Sequence, residues 1–233
     1  MGFLLQAATT ITDTAALAGT QAVEPEKSIR YIELLFKGGI MMIPLLILSV
    51  MAIGFIVERF LFIRQRTKID KSLVINVVDK LYSGNIEAAK TLCLQANSSL
   101  GNVLEAGISQ LGKPIDHIEK ALETQSNIEL SEMERRMGYI NMIAGIAPRL
   151  GFIGTILGVI KIFYNISQTA DISIGTISGG LYEKMISSGT GLIVGVLAFL
   201  GYHFLLNKVD SFSLYLQKEV FEFLKGIQKP VNK

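Results

Sequence analysis

The run IMMIPLLILSVMAIGFIV, Ile40 to Val57, decides the class of this protein. Its 18 residues carry no charge, and they are bounded by Lys37 on one side and by Glu58-Arg59 on the other. About 20 apolar residues of helix cross the hydrocarbon core of a bilayer, so with its flanks this run is long enough to span. A second run, Met185–Asn207, contains no Asp, Glu, Lys or Arg. A third, Asn141–Phe163, is apolar and rich in glycine, but Arg149 interrupts it and Lys161 lies near its far end. An arginine in lipid is costly, although snorkelling toward an interface relieves much of that cost. The competing reading of the third run is a buried helix of a soluble insert.

Charge asymmetry arbitrates. Arg59, Arg64, Arg66, Lys68 and Lys71 follow the first run, and Lys208, Lys218, Lys225, Lys229 and Lys233 follow the last. The stretch Tyr164–Tyr182 holds only Asp171. Positive residues stay on the cytoplasmic side. Three spans satisfy that rule with an outside N-terminus and an inside C-terminus, and two spans do not. The expected organisation is a periplasmic segment 1–37, a first transmembrane helix 38–63, a cytoplasmic helical region 64–140, a second transmembrane helix 141–163, a periplasmic loop 164–179, a third transmembrane helix 180–207 and a cytoplasmic tail 208–233.

Composition agrees. Half of the 233 residues are hydrophobic, 18% are charged, and the mean hydropathy is +0.44. Soluble domains carry about a quarter charged residues. The deficit here is confined to the apolar runs, which describes a membrane protein with a soluble insert. A net charge of +2 with no basic, aromatic-interleaved cluster argues against a nucleic-acid partner. Cys93 is alone, and His117 and His203 stand far apart, so no disulfide framework or metal-ligand spacing is present and no cofactor is expected. The first 23 residues have no Lys or Arg and so lack the charged start of a secretory signal, and Thr9–Thr20 reads as a weakly helical leader.

The insert is helical. Leu73, Val77, Val78 and Leu81 recur at helical spacing, Ser83-Gly84-Asn85 breaks the pattern, and Ile86–Leu94 resumes it. Gly112-Lys113-Pro114 marks another turn, and a long charged helix starts at Asp116. With no proline between Ile115 and Ala147, that helix is expected to run unbroken into the membrane. No strand-like alternation of any length appears, so the fold class is all-α: three transmembrane helices, a helical cytoplasmic insert, and helices that extend into the cytoplasm.

No enzyme signature is present, neither a phosphate loop nor a nucleophile elbow. Gly151, Gly154 and Gly158 in the second span and Ser187, Gly191 and Gly195 in the third give small residues at spacings of three and four, which allow helix backbones to approach closely. That approach serves either packing within the chain or an interface between subunits. Counting from the outer ends of the spans places Thr155 and Ser188 each about 12 Å deep, with Glu183 about 7.5 Å nearer the outside. Hydroxyls with a carboxylate above them suit a hydrated proton path. Each has a plainer reading: Ser and Thr bond back to a carbonyl one turn earlier, and an acid is favoured at a helix N-terminus. Glu183, Ser187 and Thr190 share a stripe, whereas Ser188 lies about 140° from Glu183.

Three segments carry a resemblance: GGIMMIPLLILSVMAIGFIVERF (Gly38–Phe60), IAPRLGFIGTILGVIKIF (Ile146–Phe163) and GGLYEKMISSGTGLIVGVLAF (Gly179–Phe199). In order and spacing they resemble the MotA/TolQ/ExbB proton-channel family, and within it the ExbB branch. The features are the Pro and terminal Glu58-Arg59 of the first span, the Ala-Pro-x-x-Gly-x-x-Gly-Thr pattern of the second, and the Glu, Thr and Gly-Leu of the third. The resemblance implies a homopentamer in the bacterial inner membrane whose second and third helices line a cavity. In that cavity would sit the helices of an ExbD-like partner whose Asp carries the proton, with rotation passed to a TonB-like protein to energise outer-membrane transport. Pro148, Thr155, Glu183 and Ser188 fall on the family's functional positions. Ser188 stands where Thr is usual. Arg149 stands where an apolar residue is usual, and it is expected near the cytoplasmic mouth as a phospholipid contact or an exit gate. A flagellar-type stator fits poorly because it has four spans. A TolQ-like subunit of the Tol-Pal envelope system shares the same helices and motifs, and a gliding or secretion stator or a passive scaffold is more distant.

Overall fold

The computed structural model describes residues 38–68, 70, 72–169 and 174–228, and every described secondary-structure element is a helix. Residues 1–37, assigned above to an outer segment with a weakly helical leader, lie outside the described residues, as do Lys71, Asp171, Lys229 and Lys233. Among the described residues the order is α1 (Met42–Arg66), α2 (Leu73–Tyr82), α3 (Ile86–Gln95), α4 (Ser99–Ile108), α5 (Ile115–Glu134), α6 (Met137–Thr169) and α7 (Ile174–Gln228).

The local chemistry explains most boundaries. Pro44 falls in the first turn of α1, where its missing N–H has no intrahelical partner to lose. Gly84, at φ +73°, ends α2: its N–H donates to the Leu81 carbonyl and the N–H of Asn85 to that of Lys80. Asn85 then caps α3 by accepting the N–H of Ala88 at 3.0 Å, and Ser98 caps α4 by accepting that of Gly101. Gly112, at φ +92°, precedes α5. The α2–α3 break and the start of α5 match the sequence reading, whereas the turn at Asn97-Ser98 that opens α4 was not among its expectations.

The expected continuous helix from the insert into the membrane is broken. Arg135 and Arg136 form a turn between α5 and α6, and Arg136 adopts φ 69°, a left-handed conformation uncommon outside glycine. The break sits against the Glu58-Arg59 pair at the end of the first span. Glu58 Oε1 accepts from Arg136 Nη1 at 2.6 Å and from Arg59 Nη2 at 3.0 Å. Arg59 Nη1 donates to the carbonyl of Glu132 in the last turn of α5, at 3.2 Å. Arg59 is buried, with its guanidinium 4.9 Å from the Phe62 ring centre. The pair thus ties α1 to both sides of the break.

Three helices among the described residues are long and apolar enough to cross a membrane. α6 and α7 are longer than the spans expected within them. At 1.5 Å per residue the 33 residues of α6 reach about 50 Å and the 55 residues of α7 about 83 Å. Much of 164–179, expected as a loop, is helical, because α6 continues to Thr169 and α7 starts at Ile174.

One apolar core runs the length of the described helices. In the insert Phe212, Leu216 and Phe223 of α7 belong to it with Leu73 and Val77 of α2, Leu100 and Leu104 of α4 and Leu122 of α5. Between the spans it narrows to small contacts around Ala147, Val194 and Ala198. The large apolar side chains there face outward instead: Phe152, Ile156, Ile160 and Phe163 on α6, and Leu192, Val196 and Leu200 on α7. Exposed apolar surface of this extent belongs against lipid or another subunit. The protein is a multi-pass, all-α membrane protein.

Candidate functional site: the seam between the second and third spans

α6 and α7 run antiparallel and touch backbone to backbone. A Cβ on Gly151 would come within 3.1 Å of the Cα of Ser188, and one on Gly191 would come within 2.6 Å of the Ala147 carbonyl oxygen. One on Gly154 would lie 3.3 Å from Ser187 Oγ, and one on Gly195 would collide with the Pro148 ring. The glycines at spacings of three and four therefore serve the packing of α6 on α7 within one chain.

Pro148 has a specific place in this seam. A proline inside a helix removes the hydrogen bond to the carbonyl four residues earlier, here that of Ala144. That oxygen faces α7 at Gly195, where a Cβ would stand 3.1 Å from it.

Toward the C-terminal end of α6 the seam becomes polar. The Thr155 hydroxyl lies 3.2 Å from the Gly151 carbonyl of its own helix and 3.3 Å from the Lys184 carbonyl of α7. One hydroxyl proton serves two acceptors, so neither bond is strong and the oxygen's lone pairs remain available. Ser187, fully buried, donates to the same Lys184 carbonyl at 2.9 Å. Thr190 donates back to Ile186 at 2.9 Å, the helix-internal bond named as its plainer reading. Ser188 is half-buried against Gly151.

The expected common depth of Thr155 and Ser188 holds only loosely. Gly151 meets Ser188 and Thr155 meets Lys184, so Thr155 lies within one turn of Ser188, toward the C-terminal end of α6. Ser187, rather than Ser188, points into the seam, as the angular separation of the two serines requires. Glu183, next to Lys184 in α7, has its side chain 40% exposed, and Lys184 Nζ donates to its Oε1 at 2.6 Å. Arg149 is exposed on α6, away from this cluster.

Two participants were missed from sequence. Lys184 supplies both the carbonyl that gathers Thr155 and Ser187 and the cation that meets Glu183, and its place directly after Glu183 was the available signal. Gly39, just before α1, sits over the Glu183–Lys184 pair, and its φ of +73° is a property no residue pattern advertised. Among the described residues no cluster of His, Cys, Asp or Glu is arranged to hold a metal.

Comparison with known proteins fits this arrangement. The profile of the MotA/TolQ/ExbB proton channel family matches residues 95–218, which include the whole α6–α7 seam. Biopolymer transport protein ExbB-like 3 of Synechocystis is 30% identical over 166 residues, covering 70% of this chain and 79% of that protein. Biopolymer transport protein ExbB of Neisseria gonorrhoeae is 27% identical over 134 residues, 56% of this chain and 60% of that protein. The Tol-Pal system protein TolQ of Haemophilus influenzae is 23% identical over 113 residues, 44% of this chain and 50% of that protein. The chain belongs to the MotA/TolQ/ExbB proton channel family.

Proposed function

We propose that this chain is the channel-forming stator subunit of a proton-driven complex of the ExbB kind in the bacterial inner membrane. Five copies surround the helices of an ExbD-like partner, and proton entry drives relative motion that is passed to a TonB-like protein for energised outer-membrane transport. The N-terminus lies in the periplasm, and the insert and C-terminal end of α7 lie in the cytoplasm.

The observation that carries the reading is the polar cluster in the outer half of a glycine-packed helix pair. Thr155 spans from α6 to the Lys184 carbonyl of α7, and the carboxylate of the adjacent Glu183 is paired with the Lys184 ammonium. The lone pairs of Thr155 and the exposed edge of Glu183 offer proton-accepting groups at successive depths, and Ser187, Ser188 and Thr190 continue the hydroxyl series inward. Arg149, in the half of α6 nearer the insert, is assigned a contact with lipid phosphate. If Arg149→Leu leaves lipid co-purification and proton flux unchanged, that assignment goes.

A second reading is favoured by the match to a Tol-Pal system protein, namely a TolQ-like subunit acting on the cell envelope. Both readings use the same helices, so the partner separates them. The chain co-expressed with the ExbD-like protein encoded beside it is expected to support proton-motive-force-dependent iron-chelate uptake. Glu183→Ala and Thr155→Ala are expected to abolish uptake while the complex stays assembled. Full activity in both variants would reduce these residues to packing roles, and rescue of an envelope defect without uptake would select the TolQ-like reading.

A further inference from the structure

The seam contains one charge to which the function above gives no task. Lys184 follows Glu183 and folds its ammonium back onto it, with Nζ 2.6 Å from Oε1 and only 22% of the lysine side chain exposed. A lysine near the end of a span ordinarily snorkels outward. This one is held inward by two glycines. A Cβ on Gly158 would fall on the Cγ, Cδ and Cε of Lys184, so the aliphatic stem lies in a groove that exists because α6 has no side chain there. On the other side, a Cβ on Gly39 would collide with Glu183 Oε1 and stand 3.2 Å from Lys184 Nζ. The ion pair therefore lies against the approach to α1, α6 and α7, with the lysine largely covered and one edge of the carboxylate open.

We propose that Lys184 is the ion-selectivity residue of this site: its ammonium occupies the cation position of Glu183, so that Na+ and K+ are refused and a proton is accepted. The proposal rests on the reading of Glu183 as a group on the proton path. A metal cation approaching the carboxylate meets a like charge a few Å away, in surroundings where that repulsion is screened less than in water. It also needs several oxygen ligands, and the glycine walls supply no side-chain oxygen. A proton meets the same repulsion, but it needs no shell of oxygen ligands and no vacant cation position. It forms one O–H bond at Glu183 Oε2, which has no hydrogen-bond partner among the described residues. The carboxylate is thereby neutralised, and Lys184 keeps its charge and its three donors. One fixed positive charge thus stands at the mouth in both protonation states, and metal cations are opposed in each.

The test uses the complex purified from its own membrane and sealed into phospholipid vesicles, with proton entry read by a pH dye and sodium entry by radioactive Na+. Wild type, Lys184→Met and the double variant Glu183→Gln/Lys184→Met are compared, with assembly checked by size. Lys184→Met keeps the length of the stem in the Gly158 groove and removes only the charge. It is expected to raise the sodium-to-proton permeability ratio at least about tenfold, and the double variant to lose the gained sodium flux. An assembled Lys184→Met complex with the wild-type ratio overturns the inference. Wild-type vesicles that pass no protons count against the proton-path reading, and the sodium limb still decides the role of Lys184. Sodium flux gained in Lys184→Met and lost in the double variant supports it, and no gain overturns it. Gly158→Ala, which obstructs the stem and leaves the charge, is expected to disturb the ratio in the same direction.

Discussion

The ring of Pro148 on α6 rests on Gly195 of α7, at a place where even a methyl group on Gly195 would overlap its Cγ. The residue that interrupts the hydrogen bonding of α6 is thus the residue that α7 has no side chain to oppose. The Ala144 carbonyl freed by the proline lies at the same contact. Proline and glycine form one feature of the seam, and its consequences are measurable.

Gly191→Ala and Gly195→Ala each place a methyl group where the structure has no room. Each is expected to destabilise the chain by about 1–3 kcal/mol, the usual cost of overpacking. Gly189→Ala is the control, because a Cβ there meets nothing within 4 Å in the chain. Removing the backbone freedom of a helical glycine is expected to leave stability unchanged or raise it by about 0.5–1 kcal/mol. Thermal unfolding in detergent separates the three variants, and equal effects at Gly189 and Gly191 would remove the seam argument.

Glu58 accepts from both Arg59 and Arg136, and that node holds Arg136 in its left-handed turn. Glu58→Gln is expected to cost about 1 kcal/mol, since the carboxylate is 41% exposed and partly screened. Arg59→Met is expected to cost about 1–3 kcal/mol, because it removes the donor to the Glu132 carbonyl and the stacking of the guanidinium on Phe62. Hydrogen exchange should speed up first at 135–140, and a uniform increase across α6 would argue against a local hinge.

Ser98 caps α4 through the N–H of Gly101, and Asn85 caps α3 through that of Ala88. Ser98→Ala and Asn85→Ala are each expected to lower stability by about 1 kcal/mol, and Ser98→Asp to restore most of the loss. Chemical denaturation of the purified chain measures both. A neutral Ser98→Ala would mean that α4 is held by its apolar face alone.

Burial pushes the Cys93 thiol up to about 12, with the Glu105 charge adding to the shift. Burial, with Glu219 and Asp70 near it, pushes the Tyr215 phenol up to about 12 as well. Both groups are outside the spans and both are neutral when protonated. Their contribution to stability is therefore complete below their unfolded values and falls as pH rises toward about 12. The chain is expected to resist maleimide at pH 8 until it is unfolded, and to lose stability progressively in the alkaline range. Rapid labelling of the folded chain at neutral pH would contradict the burial of Cys93.

The sequence by itself determined the class: three uncharged or nearly uncharged helical runs, the helical insert, and the glycine spacing that lets two spans approach. These are local quantities, the length of an apolar run and the period of small residues, and one chain displays them without its neighbours. The α2–α3 break was equally legible, because Gly84 and Asn85 act within a few residues of themselves. What only the tertiary structure decided depends on pairs distant in sequence. The break at Arg135-Arg136 could not be read from a stretch without proline, and the partner that Arg136 meets there, Glu58, stands 78 positions away. Ser187 rather than Ser188 enters the seam because of where α6 lies, and Lys184 turns inward because Gly158, on another helix, has no side chain to stop it. A residue's type is written in the chain, but its neighbour across a helix pair is fixed by rotation and register, which the packing of the whole fold sets.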